Sequence, residues 1–532
     1  MKKVDVTVLP LLKKIKAVKG ARLLDALKAA GMESDSACGG RGVCGKCEVL
    51  LVNKQKGARK VTRKVLACQF KVESPCAVQL RYSPGREVKV LKEHKTNSKF
   101  KADALVKRKH FTSGVSLVLD DGELLGFEKH KRKHIFGLAI DVGTTTVCVS
   151  LCNLERQEEV AQEAVLNAQA RYGADIITRL DFALKSRKNQ LLLYREAVAS
   201  INRAIGECVQ KSGVHRDQIY TAVVVGNSVM HHLLLKLSLH TFVTPPYQIR
   251  HKGALAVKAK TLDLDINPNA NVRFLPLIEG FVGSDVLATI ISLRLFKNKH
   301  FNLCVDLGTN GEIIIGSKQG IEVASCAAGP AFEGYNVSCG MIAKVGAIEW
   351  VSMENGCLRL LTIGHIQPQG ICGSGIIDIL SELLKAGIVD SSGQMKGEEF
   401  TVYKDKLVKI DFTARDVRSV QLAKAAVCAG AQILMKKVKA NAGKIKNVFL
   451  AGALGNYLNA ENALRIGLLP KELKGKIKFV GNTAFLGAKQ VLFSANDFRQ
   501  AVKISKKIKH VALAKEKGFS EMFAQALSFP KK

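Results

Sequence analysis

No long hydrophobic run occurs in this 532-residue sequence. Its longest uncharged stretch, 360–377, is broken by Gln, His, Pro and Gly, whereas a membrane span needs about 20 predominantly apolar residues. The first twenty residues carry lysine every few positions and lack the continuous apolar core of a signal peptide. Both absences lead to the expectation of a soluble, cytoplasmic protein with no membrane partner. Aromatic residues are scarce, at 6% with one Trp, and there is no zinc finger, clear helix-turn-helix or aromatic RNA-binding motif. Acidic residues are outnumbered, 46 against 81 Lys and Arg, which leaves a formal net charge of +35. Charge alone gives only non-specific contact with nucleic acid. Because the lysines are spread along nearly the whole chain, no specific nucleic-acid partner is expected. An acidic protein partner is a better use of that field.

An apolar fraction of 47% is that of a folded chain. The length exceeds what one core can organise, so roughly two to four domains are expected. From Lys3 to about Tyr82 the pattern reads strand (VDVTVL), short helix (LLDALKAAG, ended by Gly31), loop, strand (CEVLLV), loop, strand (AVQLRY). This is the order of a small β-grasp fold, assigned to 1–82. Residues 83–135 hold the charge runs KEHKTNSKFK, VKRKH and EKHKRKH around GVSLVLDDGELLGFE, which predicts a basic linker with a hairpin turning at Asp121–Gly122. From 136 to about 495 apolar strands alternate with amphipathic segments. An internal echo lies there: GLAIDVGTTTVCVSLC at 137–152 matches NLCVDLGTNGEIIIG at 302–316. It predicts a duplicated α/β domain with halves at about 136–300 and 301–495, followed by a basic extension, 496–532.

Of the fourteen cysteines, only those between Cys38 and Cys68 are clustered. ACGGRGVCGKCEV followed by LACQ gives C-x5-C-x2-C-x20-C with Cys38, Cys44, Cys47 and Cys68. Four thiolates converging from a loop suit a [2Fe–2S] cluster. The glycines among them let the backbone wrap tightly and aim N–H groups at sulfide. A structural zinc site usually shows two close Cys pairs, and here there is one. The spacing differs by one residue from plant-type ferredoxins and resembles the adrenodoxin-like type. Cys76 is the rival fourth ligand; LACQ favours Cys68.

A strand ending in Asp-x-Gly-Thr and turning into a second strand is a phosphate hairpin: glycine permits the turn, successive N–H groups cradle anionic oxygens, and the aspartate holds Mg²⁺ through water. One such hairpin is a weak signal and two are a much stronger one. The pair resembles the acetate/sugar kinase, Hsp70 and actin superfamily. That resemblance implies a first phosphate loop at Asp141, Gly143, Thr144 and Thr145, and a second at Asp306, Gly308, Thr309, Asn310 and Gly311. It also implies an adenosine loop in NVFLAGALGNY, with Gly452, Gly455 and Asn456. GICGSGIID adds Gly373, Ser374 and Gly375, suited either to an anion at a helix N-terminus or to close helix–strand packing. Glu312 is expected either to position water or Mg²⁺ or to sit in a surface salt bridge. His231 and His232 read as helix packing residues.

The fusion, together with AQARYGADIITRL, VVGNSVMHHLLL, LPLIEGFVGSDVLATI, CAAGPAFEGYNVSCGMIAKVGAI and QLAKAAVCAGAQILM, resembles the ATP-dependent reductive activators of corrinoid proteins. The resemblance implies an α+β β-grasp ferredoxin domain followed by an α/β actin/Hsp70-like ATPase domain of the duplicated ribonuclease H-like type. Its implied cofactors are a [2Fe–2S] cluster and ATP with Mg²⁺. Its implied partners are a corrinoid protein or corrinoid methyltransferase, an upstream low-potential electron donor and, as an assembly, a homodimer. The implied activity is one-electron reduction of cobalt(II) to cobalt(I). The alternatives are an ATP-driven electron donor to another enzyme, a small-molecule kinase with an added ferredoxin module, and a redox-sensing protein that only holds ATP. Two departures stand out. Larger relatives carry a middle domain, which is expected to be missing here because only 83–135 separates the two domains, and GNTAFLGA at 481–488 stands where a glycine-richer turn is expected.

Overall fold

The computed structural model describes all residues except 1–2, 10–12, 31, 33–39, 43–46, 56–57, 81–102, 112–114, 130–133, 245–248, 250, 309, 355, 407, 453–457 and 532. The chain forms two compact units: residues 1–87 with 168–193, and residues 88–167 with 194–532. No helix among the described residues is long and apolar enough to cross a membrane.

The first unit holds a five-stranded sheet in the spatial order Lys13–Val18, Lys3–Leu9, Cys76–Leu80, Glu48–Gln55, Ala58–Leu66. Two of its three inner strands, Lys3–Leu9 and Cys76–Leu80, run parallel. The helix Leu23–Ala29 buries Leu23, Leu24, Ala26 and Leu27 in one core with Val6, Val8, Val72 and Val78. Two strands go beyond the sequence expectation. In Lys13–Val18 only Ile15 and Ala17 are buried between exposed lysines, a basic edge strand whose apolar signal is too thin to stand out. Ala58–Leu66 is the hairpin partner of Glu48–Gln55. The segment AQARYGADIITRL, expected in the first ATPase half, also belongs to this unit. Its helix Ile176–Leu184 starts at an Asp175–Thr178 capping box. Fully buried Arg179 holds the preceding turn through the Gly173 carbonyl at 2.8 Å, and Lys28 donates to the Arg171 carbonyl.

The second unit is built on two six-stranded sheets. The first runs Glu158–Leu166, Thr146–Asn153, Phe136–Val142, Ile219–Gly226, Asn271–Phe274, Leu255–Lys258. The second runs Ile477–Gly481, Ile445–Ala451, Phe301–Leu307, Gly311–Ser317, Gly320–Cys326, Ile508–His510. With the edge strands Leu255–Lys258 and Ile508–His510 set aside, the remaining five strands of each sheet, numbered along the chain, lie in the order 3-2-1-4-5, with strands 1 and 2 antiparallel and strands 1, 4 and 5 parallel. The internal echo is thus a true structural repeat. Strand Phe136–Val142 is buried at every position, as expected of a central strand covered on both faces.

Two expected boundaries need correction. The linker region carries a three-stranded sheet, Val106–His110, Val115–Asp120 and Glu123–Lys129, rather than a lone hairpin. It is pinned to the first half by buried polar pairs, Asp120 with Arg273 and Asn271 and Glu128 with Tyr220 at 2.9 Å. The added strand, Val106–His110, lies in the charge run VKRKH, where Val106 is its one buried apolar residue, so its apolar signal is thin. Past 495 the chain is not an appended extension: Ile508–His510 adds a parallel edge to Gly320–Cys326, and the helix Phe519–Leu527 packs on the long helix Ala414–Lys437.

Candidate functional site

Cys38 and Cys44 lie outside the described residues. Cys47 and Cys68 are both buried and their Sγ atoms are 3.2 Å apart, brought together where Ala67 N–H donates to the Cys47 carbonyl at 2.9 Å. Neither is in a disulfide. Gly40 and Gly42 have φ of +90° and +80°, and a Cβ at Gly42 would fall 2.4 Å from Gln69 Nε2, so this loop requires glycine. Two converging buried thiols on a tightly wound glycine loop fit half the donor set of a thiolate-held cluster. Cys76 lies in the central strand opposite Val6, and burial pushes its thiol up.

In the second unit the two Asp-x-Gly-Thr hairpins open onto one cavity of about 230 Å³. Gly143 N–H closes the first turn on the Thr146 carbonyl at 3.0 Å and Gly308 N–H closes the second on the Asn310 carbonyl at 3.1 Å. A Cβ at Gly143 would sit 2.7 Å from that Thr146 carbonyl, and one at Gly452, where φ is +90°, 2.5 Å from Asp306 Oδ1. Of the expected residues, Asp141, Gly143, Thr144, Thr145, Asp306, Gly308, Asn310, Glu312, Gly373 and Gly452 line the cavity. Thr309, Gly455 and Asn456 lie outside the described residues. Gly311, Ser374 and Gly375 do not line it. Gly311 is where Cys326 Sγ approaches, Gly375 where the Ile348 carbonyl does, each too close for a Cβ, and Ser374 donates to the Glu349 carbonyl at 2.7 Å. At Gly375 the helix packs closely on strand Ala347–Glu354. Glu312 faces the cavity, and among the described residues no Lys, Arg or His forms a salt bridge with it. His231 and His232 pack in their helix, His231 against Phe274 with ring centroids 4.9 Å apart.

The fold adds residues that sequence reasoning missed. Asn482 Nδ2 donates to Asp141 Oδ2 at 2.8 Å. Asn227 donates to Thr144 Oγ1 at 3.3 Å, Asn167 to the Gly143 carbonyl at 2.9 Å, and Thr145 Oγ1 to Glu333 at 3.3 Å. Asp285, at the start of helix Ser284–Ser292, lines the same cavity. Asn227, Asp285 and Asn482 each follow a glycine at the mouth of a strand or helix, in Gly-Asn, Gly-Ser-Asp and Gly-Asn, and that shared pattern was the available signal.

Five carboxylates therefore face one cavity, Asp141, Asp285, Asp306, Glu312 and Glu333, and no Lys or Arg among the described residues lines it. Burial, with the charges of Asp285 and Asp141 beside it, pushes Asp306 up to about 7. Burial raises Asp141 to about 6, against the opposing pull of the Asn482 hydrogen bond. Glu312 is held well above the ordinary carboxylate range by burial and by Asp285 and Asp306. Such a cavity repels a bare phosphate and calls for a divalent cation. No three His, Cys, Asp or Glu side chains among the described residues converge as a protein-only metal cage. Mg²⁺ keeps waters and phosphate oxygens as ligands and takes one or two protein carboxylates. The donor set fits Mg-nucleotide.

Comparison with known proteins joins these two sites. Family models match three consecutive stretches: the 2Fe-2S iron-sulfur cluster binding domain at residues 6–73, the RACo middle region at 136–298, and the C-terminal domain of RACo, the ASKHA domain, at 300–532. The chain is 31% identical to the corrinoid activation enzyme RamQ of Eubacterium limosum, over 95% of each chain. This chain belongs to the family of corrinoid reductive activators. Within that family it is 24% identical to the [Co(II) methylated amine-specific corrinoid protein] reductase of Methanosarcina barkeri, over 74% of this chain and 77% of that one. The solved structure of a reductive activator for corrinoid, iron-sulfur protein superposes with a TM-score of 0.75 at 28% identity, covering 99% and 98% of the two chains. The expected loss of the family's middle domain is overturned: the middle region is present at 136–298 and is the first half of the duplicated fold, which sequence reading had assigned wholly to the ATPase.

Proposed function

We propose that this chain performs ATP-dependent one-electron reductive activation of a corrinoid protein, taking its cobalt from cobalt(II) to cobalt(I). The observation that carries the reading is the presence, in one chain, of a buried thiol pair on a β-grasp fold and a carboxylate-lined cavity between two phosphate hairpins. A bound [2Fe–2S] cluster supplies a one-electron donor, and bound Mg-ATP supplies free energy. Cys38, Cys44, Cys47 and Cys68 hold the cluster, which an upstream low-potential donor reduces. The turns at Gly143–Thr145 and Gly308–Gly311 offer backbone N–H groups to phosphate oxygens. Asp141 and Asp306 hold Mg²⁺ through water, Glu312 orients a water, and Gly452, Gly455 and Asn456 border the adenosine. Each 59 mV uphill costs about 1.4 kcal/mol for one electron. A gap of a few hundred millivolts is then several kcal/mol, within reach of a conformational change driven by nucleotide.

The test is a reduction assay with purified corrinoid protein. An electron donor without ATP is expected to leave the cobalt mostly oxidised, and Mg-ATP to produce cobalt(I), read by its visible absorbance. Cys44→Ser should hydrolyse ATP but transfer no electron; Asp141→Ala should keep a reducible cluster and gain nothing from ATP. Binding of candidate corrinoid proteins without cobalt reduction would overturn the reading.

A further inference from the structure

A second concavity, about 540 Å³, lies in the second half of the second unit, away from the phosphate hairpins. Its size falls in the range of small-molecule sites, roughly 300–1,000 Å³. It is walled by the end of helix Gly373–Lys385, by helix Ala460–Arg465, by the turn Lys471–Leu473 and by residues 530–531. The last wall is fixed from behind: Phe529 N–H donates to the Ser391 carbonyl at 2.7 Å, and the buried Lys424 ammonium donates to the Ser528 carbonyl at 2.6 Å while lying 4.8 Å from the centre of the Phe529 ring.

Its charge is the opposite of that in the nucleotide cavity. Five cations line it, Lys385, Arg465, Lys471, Lys474 and Lys531, against two acids, Asp390 and Glu461, and of the five Lys385 is already paired with Glu382 at 2.5 Å. Neither acid neutralises the centre. Asp390 Oδ1 is spent on its own turn, accepting from Ser392 N–H and Oγ and from Gln394 N–H at 2.7–3.0 Å. Glu461 is 4.0 Å from Lys474, both well exposed, a pair worth little. Arg465 is fixed in place: its Nη1 donates to Ser381 Oγ at 2.8 Å and to Asn462 Oδ1 at 2.9 Å. Both acceptors are neutral, and among the described residues no carboxylate pairs with it. Its Nε and Nη2 remain available, the two-pronged edge that matches a phosphate. Leu384, Val389 and Leu464 add apolar wall beside it.

We infer that this concavity is a binding site for a phosphate-bearing anion, gripped by Arg465 with Lys471 and Lys531 around it. A guanidinium held by neutral partners keeps its charge for a ligand, and the apolar wall accommodates the body of an organic phosphate.

The test is calorimetric titration of the full chain with inorganic pyrophosphate, without divalent cations, at an ionic strength of about 0.15 M. Saturable binding is expected. Arg465→Gln should weaken it at least tenfold. Lys471→Ala, on the exposed rim, should weaken it severalfold and keeps the question answerable if loss of the Ser381 and Asn462 contacts harms folding. Lys503→Ala, exposed in helix Ala495–Ser505, should leave it unchanged. A nucleoside monophosphate titrated alongside separates the sources: tighter binding than pyrophosphate assigns the apolar wall to an organic body, and weaker binding assigns the site to inorganic phosphates. Absence of saturable binding, equal weakening by all three variants, or loss of binding in Asp306→Ala instead of Arg465→Gln would overturn the proposal.

Discussion

Asn482 reaches Asp141 with a 2.8 Å hydrogen bond across 341 positions of sequence, tying the second half of the duplicated fold to the first phosphate hairpin. The orientation is fixed because Asn482 Oδ1 is committed elsewhere, accepting from Phe485 N–H at 2.8 Å as the N-cap of helix Thr483–Phe493. The amide end therefore points at the carboxylate.

From this, Asn482→Ala is expected to lower Mg-ATP hydrolysis by about 10–100-fold, as loss of a partner that orients a metal-site carboxylate commonly does, and to lower helix stability by about 1 kcal/mol through the lost cap. Asn482→Asp separates the two effects. It keeps the cap and the melting temperature but sets a negative charge against Asp141, so hydrolysis should still fall. Unchanged hydrolysis in both variants would remove Asn482 from the site.

The cluster ligands are tested by iron content. With Cys47 and Cys68 Sγ atoms 3.2 Å apart and Cys76 in the sheet opposite Val6, Cys68→Ser should lose most of the iron and Cys76→Ser should retain about two irons per chain. The reverse result would move the fourth ligand to Cys76.

Gly487 in helix Thr483–Phe493 faces helix Ser284–Ser292, and a Cβ there would fall 2.1 Å from the Ala288 carbonyl. Gly→Ala within a helix ordinarily stabilises. Here the clash is with backbone, and Gly487→Ala should destabilise by about 1–3 kcal/mol, read as a lower melting temperature with iron content unchanged. A neutral or raised melting temperature would contradict this packing.

The acidic cavity predicts a proton signature. Asp306 at about 7 and Asp141 at about 6 stand above the value near 4 of an unfolded aspartate. The folded chain therefore keeps protons that the unfolded chain releases. The stability these groups contribute is full below about pH 4 and is lost as pH rises through 6 to 7. A bound divalent cation offsets that loss by favouring the ionised forms, so Mg-nucleotide binding at pH 6.5 should release on the order of one proton, and far less at pH 8. Calorimetry in buffers of different ionisation enthalpy measures it; equal proton release at both pH values would argue against these carboxylates meeting the cation.

Much of this arrangement was legible along the chain because its signals are local. The alternation in VDVTVL, the Asp-x-Gly-Thr turns at Asp141 and Asp306, and the Asp121–Gly122 turn each depend on residues a few positions apart. Weaker signals failed where charge masked them. Lys13–Val18 and Val106–His110 expose lysines on alternate positions, and only their thin buried stripe marks them as strands.

The sequence by itself determined the thiol spacing from Cys38 to Cys68, the two phosphate hairpins and the repeat that carries them, since backbone geometry at glycine and short-range spacing decide these. Only the tertiary structure decided which carboxylates share a cavity and which glycines serve packing. Asp285, Glu333 and Asn482 share one cavity with Asp141 and Asp306 because helices and sheets from both halves of the fold cross there, Asn482 and Asp141 lying 341 positions apart, and burial there, not residue type, raises their neighbours' proton affinity. Gly311 and Gly375 look like loop residues in sequence but admit Cys326 and Ile348 at distances no Cβ allows, a fact that exists only once the second layer of the fold is in place.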